Sequence, residues 1–418
     1  MAINIGGKYL LKCKIITPLF MGGASQQAEL RTQSFNGLLR WWFRVAGGSI
    51  NDEKRIFGWA GETSNQGLCR IFIKDFDKLK KKLFSKEFDN SGRVRQDKGI
   101  NYLGFSLDQR FKKDDKNKIQ REYLERNQQF EIKISFHPKA NDDDIKKFFS
   151  SLWLAFNLGN FGSRARRGFG SIKIENIKEN ENDITNDCFG LSFVPSGDLK
   201  NWVKTNLDRI KNILNPSQRS NIPYVFDNFE IYHLQKSAFN NWRNWKNKVQ
   251  QGRKGKFLKI SWDGSNINNW NNLLDFMGFL LMAYRSYRNP DYDNAKSILQ
   301  GNIKSNLFER PIFGLPLNFF YSSLKNPKTE KIGYGDMVHL KQGNETLRRA
   351  SPLMIKIIES NNSYEGLFIV MKSTFMPPNS RLTFSNKDVN LPSDNLWKAL
   401  DDFISTLEKC NLIRRIYP

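Results

Sequence analysis

Histidine is scarce. The chain has three, His137, His233 and His339, in 418 residues, and they share no metal-ligand spacing. Most chemistry at neutral pH uses this side chain as acid, base or ligand, so its scarcity weighs against a hydrolase or a metal enzyme. Cysteine is nearly as sparse. Cys13, Cys69, Cys188 and Cys410 stand far apart with no CxxC pair, which argues against a zinc ribbon or a disulfide framework and leaves each as a small packing or surface residue. No window approaches 18 uninterrupted apolar residues, so no transmembrane helix is expected. The opening MAINIGGKYLLKCK lacks the charged, apolar and small-residue order of a signal peptide. The expected setting is the cytoplasm, with no cofactor, metal or membrane partner.

Acidic residues are also in short supply. Forty-two Asp and Glu face 66 Lys and Arg, a net charge of +24. Such an imbalance suits a polyanion, nucleic acid first and an anionic membrane surface second. What the chain has in plenty is aromatic bulk, with 33 Phe and 10 Trp. Its length suggests roughly two or three domains.

Period-two alternation in KYLLKCKIIT (Tyr9, Leu11, Cys13 and Ile15 against lysines) predicts a half-buried strand. A glycine-tipped loop leads to SFNGLLRWWFRVAGG, where Phe35, Leu38, Leu39, Trp42, Val45 and Ala46 share one arc and Asn36, Gly37, Arg40 and Arg44 the opposite face. That pattern predicts an amphipathic helix, with Ser34 as N-cap and Gly47 as its stop. Strands are expected at LCRIFIK and QFEIKISFH, a helix from NDDD onward with Ile145, Phe148, Phe149, Leu152 and Phe156 as its stripe, and a strand at SIKIENI. Strand, helix, strand, strand, helix, strand is a ferredoxin-like, RRM-like order. It predicts an α+β protein whose first domain spans 1–180, followed by a polar linker, KENENDITND. A second, elaborated domain of the same class is expected over 181–418. There NWVKTNLDRIKNIL, NNWNNLLDFMGFLLMAYRSYRN and NLWKALDDFISTLEKC read as helices. YVFDNFEIYHL, GKFLKISWDG and FIVMKSTFM read as strands. The charged stretch KLKKKLFSKEFDNSGRVRQDKG reads as an exposed insertion.

Right-handed crossovers bring two loops to one edge of the first domain. The loop at 17–33 carries Gly22, Gly23 and Arg31. The loop at 159–171 carries Gly159, Gly162, Gly168 and Gly170 with Arg164, Arg166, Arg167 and Phe169. Glycines let a phosphate chain approach main-chain N–H groups, and guanidinium forks grip phosphate. The helix start at Ser34 adds donors, Arg40 and Arg44 extend the charge, and Trp41 offers a stacking surface. Arg285 and Arg288, at the end of the long helix, are further candidates for RNA contact, with offset of the helix dipole as the plain alternative. For Arg40 and Arg44 that alternative is a solvated helix face, and for Trp41 packing against a sheet or partner.

At these residues the sequence resembles the RAMP superfamily of CRISPR proteins, whose hallmark is the glycine-rich loop before the last strand. ITPLFMGGASQQAELRTQSFNGLLRWWFRVAGG is similar to the subunit that caps the crRNA 3′ end in type III-B (Cmr) effector complexes. The matches are Thr17, Pro18, Leu19, Phe20, Gly22, Gly23, Arg31, Ser34, Gly37, Leu39, Arg40, Trp41, Trp42 and Arg44. IFG at 56–58, RPIFGLP at 310–316 and RRASPLMIK at 348–356 also fit. The resemblance implies tandem ferredoxin-like domains and a ribonucleoprotein role in antiviral defence. It implies contact with crRNA, target RNA and neighbouring RAMP subunits, and no catalysis by this chain. The stretches at 75–125 and 180–260 are longer than the family's minimal pattern.

The alternative is a metal-independent RAMP endoribonuclease that processes guide RNA. Such enzymes commonly place a histidine near the first helix, and no histidine precedes His137 here. A general RNA chaperone or a membrane-surface protein fits the composition but leaves the paired glycine loops unexplained.

Overall fold

Alternation in KYLLKCKI sets β1 (Lys8–Ile15), which turns Tyr9, Leu11, Cys13 and Ile15 into the core and its lysines outward. The computed structural model describes residues 8–23, 27–61, 64–74, 78–84, 98–105, 107, 121–216, 225–251, 261–360 and 363–418. After β1 come α1 (Thr32–Val45), α2 (Ile50–Phe57), β2 (Cys69–Lys74), β3 (Lys81–Leu83), α3 (Gly99–Leu103), β4 (Glu122–Leu124), β5 (Gln129–Phe136), α4 (Asp142–Asn157), β6 (Ile172–Glu179) and β7 (Asn182–Asp183). The first sheet has the order β2-β5-β1-β6-β7, each strand antiparallel to its neighbours. Through β1, α1, β2, β5, α4 and β6 this is the ferredoxin-like order.

Three local expectations need correction. Ser34 is not the N-cap of α1. Arg31, in extended conformation, holds that place without a side-chain cap, and the Ser34 N–H donates to the Arg31 carbonyl at 3.0 Å. The stretch 178–187 is not a bare linker: β6 and β7 pair there, and Thr185 is buried, accepting from the Ile177 N–H at 2.7 Å. The described part of the insertion is not wholly exposed either. β3 pairs there with β4, and Leu79 and Gly99 are buried.

The second unit continues with α5 (Leu199–Leu214), β8 (Phe229–Leu234), α6 (Trp242–Gln250), α7 (Trp270–Arg285), α8 (Asp291–Leu299), β9 (Leu317–Lys325), β10 (Ile332–Gln342), β11 (Glu345–Leu347), β12 (Leu353–Ser360), β13 (Ser363–Met371), β14 (Ser380–Phe384), β15 (Lys387–Val389), α9 (Lys398–Lys409) and β16 (Ile413–Tyr417). Its sheet has the order β12-β13-β8-β16, antiparallel throughout. Through β8, α7, β12, β13, α9 and β16 the ferredoxin-like order recurs, so the tandem arrangement expected from the sequence is present. A third sheet, β11-β10-β14-β15 with β9 on β10, is inserted around it. The strand expected at GKFLKISWDG falls mostly on residues 252–260, outside the described residues.

The two sheets differ in what covers them. One face of the second sheet (Ile231, Met354, Leu367, Ile369) joins the core of α1, α4 and α5. Its other face (Tyr232, Ile355, Ile357, Phe368, Val370) joins that of α7 and α9. Strands apolar on both faces read as continuous runs, and β12 and β13 do. The helix α4 is likewise enclosed on all sides from Phe148 to Asn157, not along one stripe. It starts with a capping box between Asn141 and Asp144.

At the end of the β8–β13 pair, Glu365 accepts from Lys236 (2.6 Å), His233 Nε2 (2.8 Å) and the Ser363 hydroxyl (2.9 Å). Burial alone would raise its pKa, but these hydrogen bonds and the Lys236 charge bring it down to about 2. A carboxylate depressed this way stabilises the fold above its unfolded pKa of about 4.3 and loses that stability as pH falls through its folded value. Glu365→Gln should therefore remove about 3 kcal/mol at neutral pH and flatten the stability-versus-pH curve between about pH 4.3 and 2. Urea unfolding across that range checks it; parallel curves for the two proteins would refute it.

Candidate nucleic-acid interface

The two glycine loops are hydrogen-bonded to each other along their length. The Thr17 hydroxyl donates to the Gly168 carbonyl (2.8 Å) and accepts from the Ser171 N–H (2.9 Å). The Ser163 N–H donates to the Phe20 carbonyl (2.7 Å) and the Gly170 N–H to the Pro18 carbonyl (2.9 Å). The glycines serve this contact. Gly162 has φ 78° and a Cβ there would stand 2.5 Å from the Phe20 oxygen; Gly170 has φ 76° and its Cβ would stand 1.9 Å from the Phe161 oxygen. At both positions an added Cβ would meet protein backbone; Gly170 is also buried, whereas Gly162 keeps an exposed side. Gly168 and Phe169 correct the expectation more sharply. Both are buried, Gly168 against Leu274 and Ile355, and Phe169 edge-on to Phe20 at 5.5 Å, so neither presents a surface to RNA. In the first loop, Gly22 pairs with Ala28 at the exposed tip and Gly23 lies beside Glu29.

The arginines fall into two groups. In the first, carboxylates answer the charge. Arg40 and Arg44 are not free of counter-charge: α2 brings Glu53, 1% exposed, against both, at 2.9 and 3.0 Å, while the Arg44 side chain stays 50% exposed. Arg31 pairs with Glu29 at 3.3 Å. Arg288 pairs with Asp402 at 2.9 Å and Glu309 at 3.3 Å, which makes it a structural ion pair.

The second group lies on the seam between the units. The half-buried Arg166 donates to the Ser351 carbonyl and lies 5.4 Å from the centre of the Trp41 ring. Its carbonyl accepts from the Ile355 N–H at 3.2 Å, joining the loop to β12. Arg167 reaches the Phe313 carbonyl at 3.4 Å and keeps Nη1 buried without a hydrogen-bond partner. Arg285, buried, donates to the Tyr102 hydroxyl at 2.6 Å beneath the Phe313 ring. Arg349 donates to the Ser373 hydroxyl (2.7 Å) and the Thr374 carbonyl (2.8 Å), and Arg121 to the Ser163 hydroxyl (2.6 Å). Among the described residues none of these five forms an ion pair with a carboxylate. Burial, and then the neighbouring Arg349, pushes Arg166 down to about 10; burial, and then Arg285, does the same to Arg167. Arg164 stands beside them in left-handed conformation, φ 60°.

Sequence reasoning missed Arg121, Arg349 and Lys356 as members of this seam. RRASPLMIK contains two of the three, but nothing local says that it faces the glycine loop. Lys356, 1% exposed, donates to the carbonyls of Phe156 and Gly159 at 2.7 Å each, at the C-terminal end of α4. Burial pushes its pKa down to about 7. The three histidines stand apart on different sheets: His137 just beyond β5, His233 on β8 and His339 on β10. Among the described residues no three His, Cys, Asp or Glu side chains gather as a metal set, and no helix is long and apolar enough to cross a membrane.

Residues 12–173 match the family model for the RAMP superfamily. The CRISPR system Cmr subunit Cmr1-2 of Pyrococcus furiosus is 32% identical over 182 residues, 39% of this chain and 93% of that protein. Cmr1-1 of the same organism is 24% identical over 359 residues, 84% of this chain and 82% of that protein. The crystal structure of Cmr1 from Pyrococcus furiosus in its apo form has the same fold, with a TM-score of 0.53 at 18% identity over 98% of both chains.

Proposed function

Because the chain belongs to the RAMP superfamily, among its Cmr1-like Cmr subunits, we propose that it is a non-catalytic RNA-binding subunit of a type III-B CRISPR effector complex. In this reading it holds guide and target RNA near the crRNA 3′ end and docks on neighbouring RAMP subunits in antiviral defence. The observation that carries the reading is the seam. Arg121, Arg166, Arg167, Arg285 and Arg349 converge there with carbonyls, hydroxyls and rings as described partners. Like charges held close without counter-charge are costly until an anion arrives, and a phosphate chain supplies a row of them. Phosphate contacts give affinity and register, while pairing between the two RNAs selects the sequence.

Arg166→Gln with Arg349→Gln tests it. Both side chains also brace the seam, so glutamine, which keeps a donor, is preferred to a charge reversal, and the melting temperature is measured alongside. Affinity for a crRNA-like strand should fall at least about tenfold, and the slope of log K against log salt should become shallower by about 2, one unit per lost phosphate contact. A folded double variant with unchanged affinity and slope would sink the proposal. Incubating the intact protein with repeat RNA without metal tests the non-catalytic part, since specific cleavage would make it a guide-processing nuclease.

A further inference from the structure

The first sheet carries a second surface that the seam does not use. Its inner face is covered by α1 and α4, whereas the second sheet is covered on both faces. Among the described residues, the outer face of the first sheet is left open over most of its area. Pairing register fixes what it displays. One row runs Arg70, Ser135, Lys8; the next Phe72, Lys133, Leu10, Lys178; the next Lys74, Glu131, Lys12, Asn176. At one end of the sheet Lys14 and Lys173 turn to Glu359 of β12, at 2.9 and 3.6 Å. Elsewhere Lys74 meets Glu131 at 3.6 Å and Lys178 meets Glu181 at 3.6 Å. Lys8, Lys12, Arg70 and Lys133 have no carboxylate partner among the described residues. In their midst Phe72 is 61% exposed.

An exposed aromatic ring on a strand is a cost that packing does not recover, since the ring points away from the core. Ringed by unneutralised cations, it is matched to a ligand with flat apolar faces strung on an anionic chain. We propose that this face binds a single strand of RNA, one base stacked on Phe72 and its flanking phosphates on Lys133, Lys8, Lys12 and Arg70. Strands lie about 4.8 Å apart, so the row from Phe72 to Lys178 is about 14 Å long, room for two or three nucleotides. The site is separate from the seam and stands or falls independently of it.

The test uses the full chain and a uridine 12-mer containing 4-thiouridine. It is run in the wild-type background and in the Arg166→Gln, Arg349→Gln background. Phe72→Ala should weaken binding about tenfold in either background, the loss of one stacked base. Lys12→Ala with Lys133→Ala should make the salt slope shallower by about 2. Irradiation should attach the oligonucleotide to the tryptic peptide 71–74. All these positions are on the outer face, so the fold should survive, and melting temperature checks that it does. Unchanged affinity and slope, with no adduct on that peptide, would overturn the proposal. So would variants that keep full RNA affinity but no longer join neighbouring subunits, because the face would then be a protein-docking surface.

Discussion

Gly170→Ala is expected to cost about 3–5 kcal/mol and to abolish the loop that joins the two units. Two effects combine. A φ of 76° costs an L-residue about 1–2 kcal/mol, and the added Cβ would lie 1.9 Å from the Phe161 oxygen. That oxygen belongs to the backbone, and the two residues are already tied by the Phe161 N–H donating to the Gly170 carbonyl at 2.8 Å. The clash cannot be relieved by a rotamer. It has to move the strand of loop that presents Arg166 and Arg167. Gly197→Ala isolates the conformational part: its φ is 64° with nothing near the added methyl, so it should cost only about 1–2 kcal/mol. Urea unfolding of both variants gives the comparison. Equal losses would mean that the close approach at Gly170 contributes nothing.

Lys356 should give the wild type a stability that rises with pH. Its folded pKa of about 7 lies well below the unfolded value of about 10.4. Below pH 7 both states hold the proton and there is no slope. Between the two values the unfolded chain holds a proton that the folded one has released, so stability climbs by about 1.4 kcal/mol per pH unit. Above the unfolded value both states are neutral and the gain is complete. A neutral amine has two hydrogens to donate, and the carbonyls of Phe156 and Gly159 receive them. Lys356→Met removes the titration and leaves both carbonyls without that partner, a loss of about 1–3 kcal/mol each set against the relief of burying an ionisable group. The difference between wild type and variant should therefore grow by about 4 kcal/mol from pH 7 to pH 10. A constant difference across that range would show that the lysine is charged in the folded state.

How much of this was legible varied along the chain, for physical reasons. Strands β1, β5 and β6 read clearly because one face is buried and the other wet, which stamps period two on the sequence. Strand β12 does not, because LMIKIIES is buried on both faces and alternation vanishes. The third sheet interrupts the second ferredoxin-like unit between α7 and β12 and again between β13 and α9, so no local pattern reveals which strands belong together. At the candidate site, the density of glycine and arginine at 159–171 singled out a loop that lies on the seam, and crossover handedness brought it to the loop at 17–33, which it does meet. The purpose assigned to its glycines was incomplete, since Gly162 and Gly170 fit backbone against backbone. Arg40 and Arg44 looked free because Glu53 is nine residues beyond Arg44 on a separate helix. Arg349 and Lys356 were invisible because their meaning comes only from the segment they face.

The enclosure of α4 decides how the molecule can respond to a ligand. Apolar side chains surround this helix on the first sheet's side and on the second unit's side alike, so swinging the units apart would strip it to water along its length. It works as a keystone and not as a hinge. On the proposed reading, a nucleic-acid strand laid across the seam would meet two units whose spacing this helix holds, and the bending would fall to the strand.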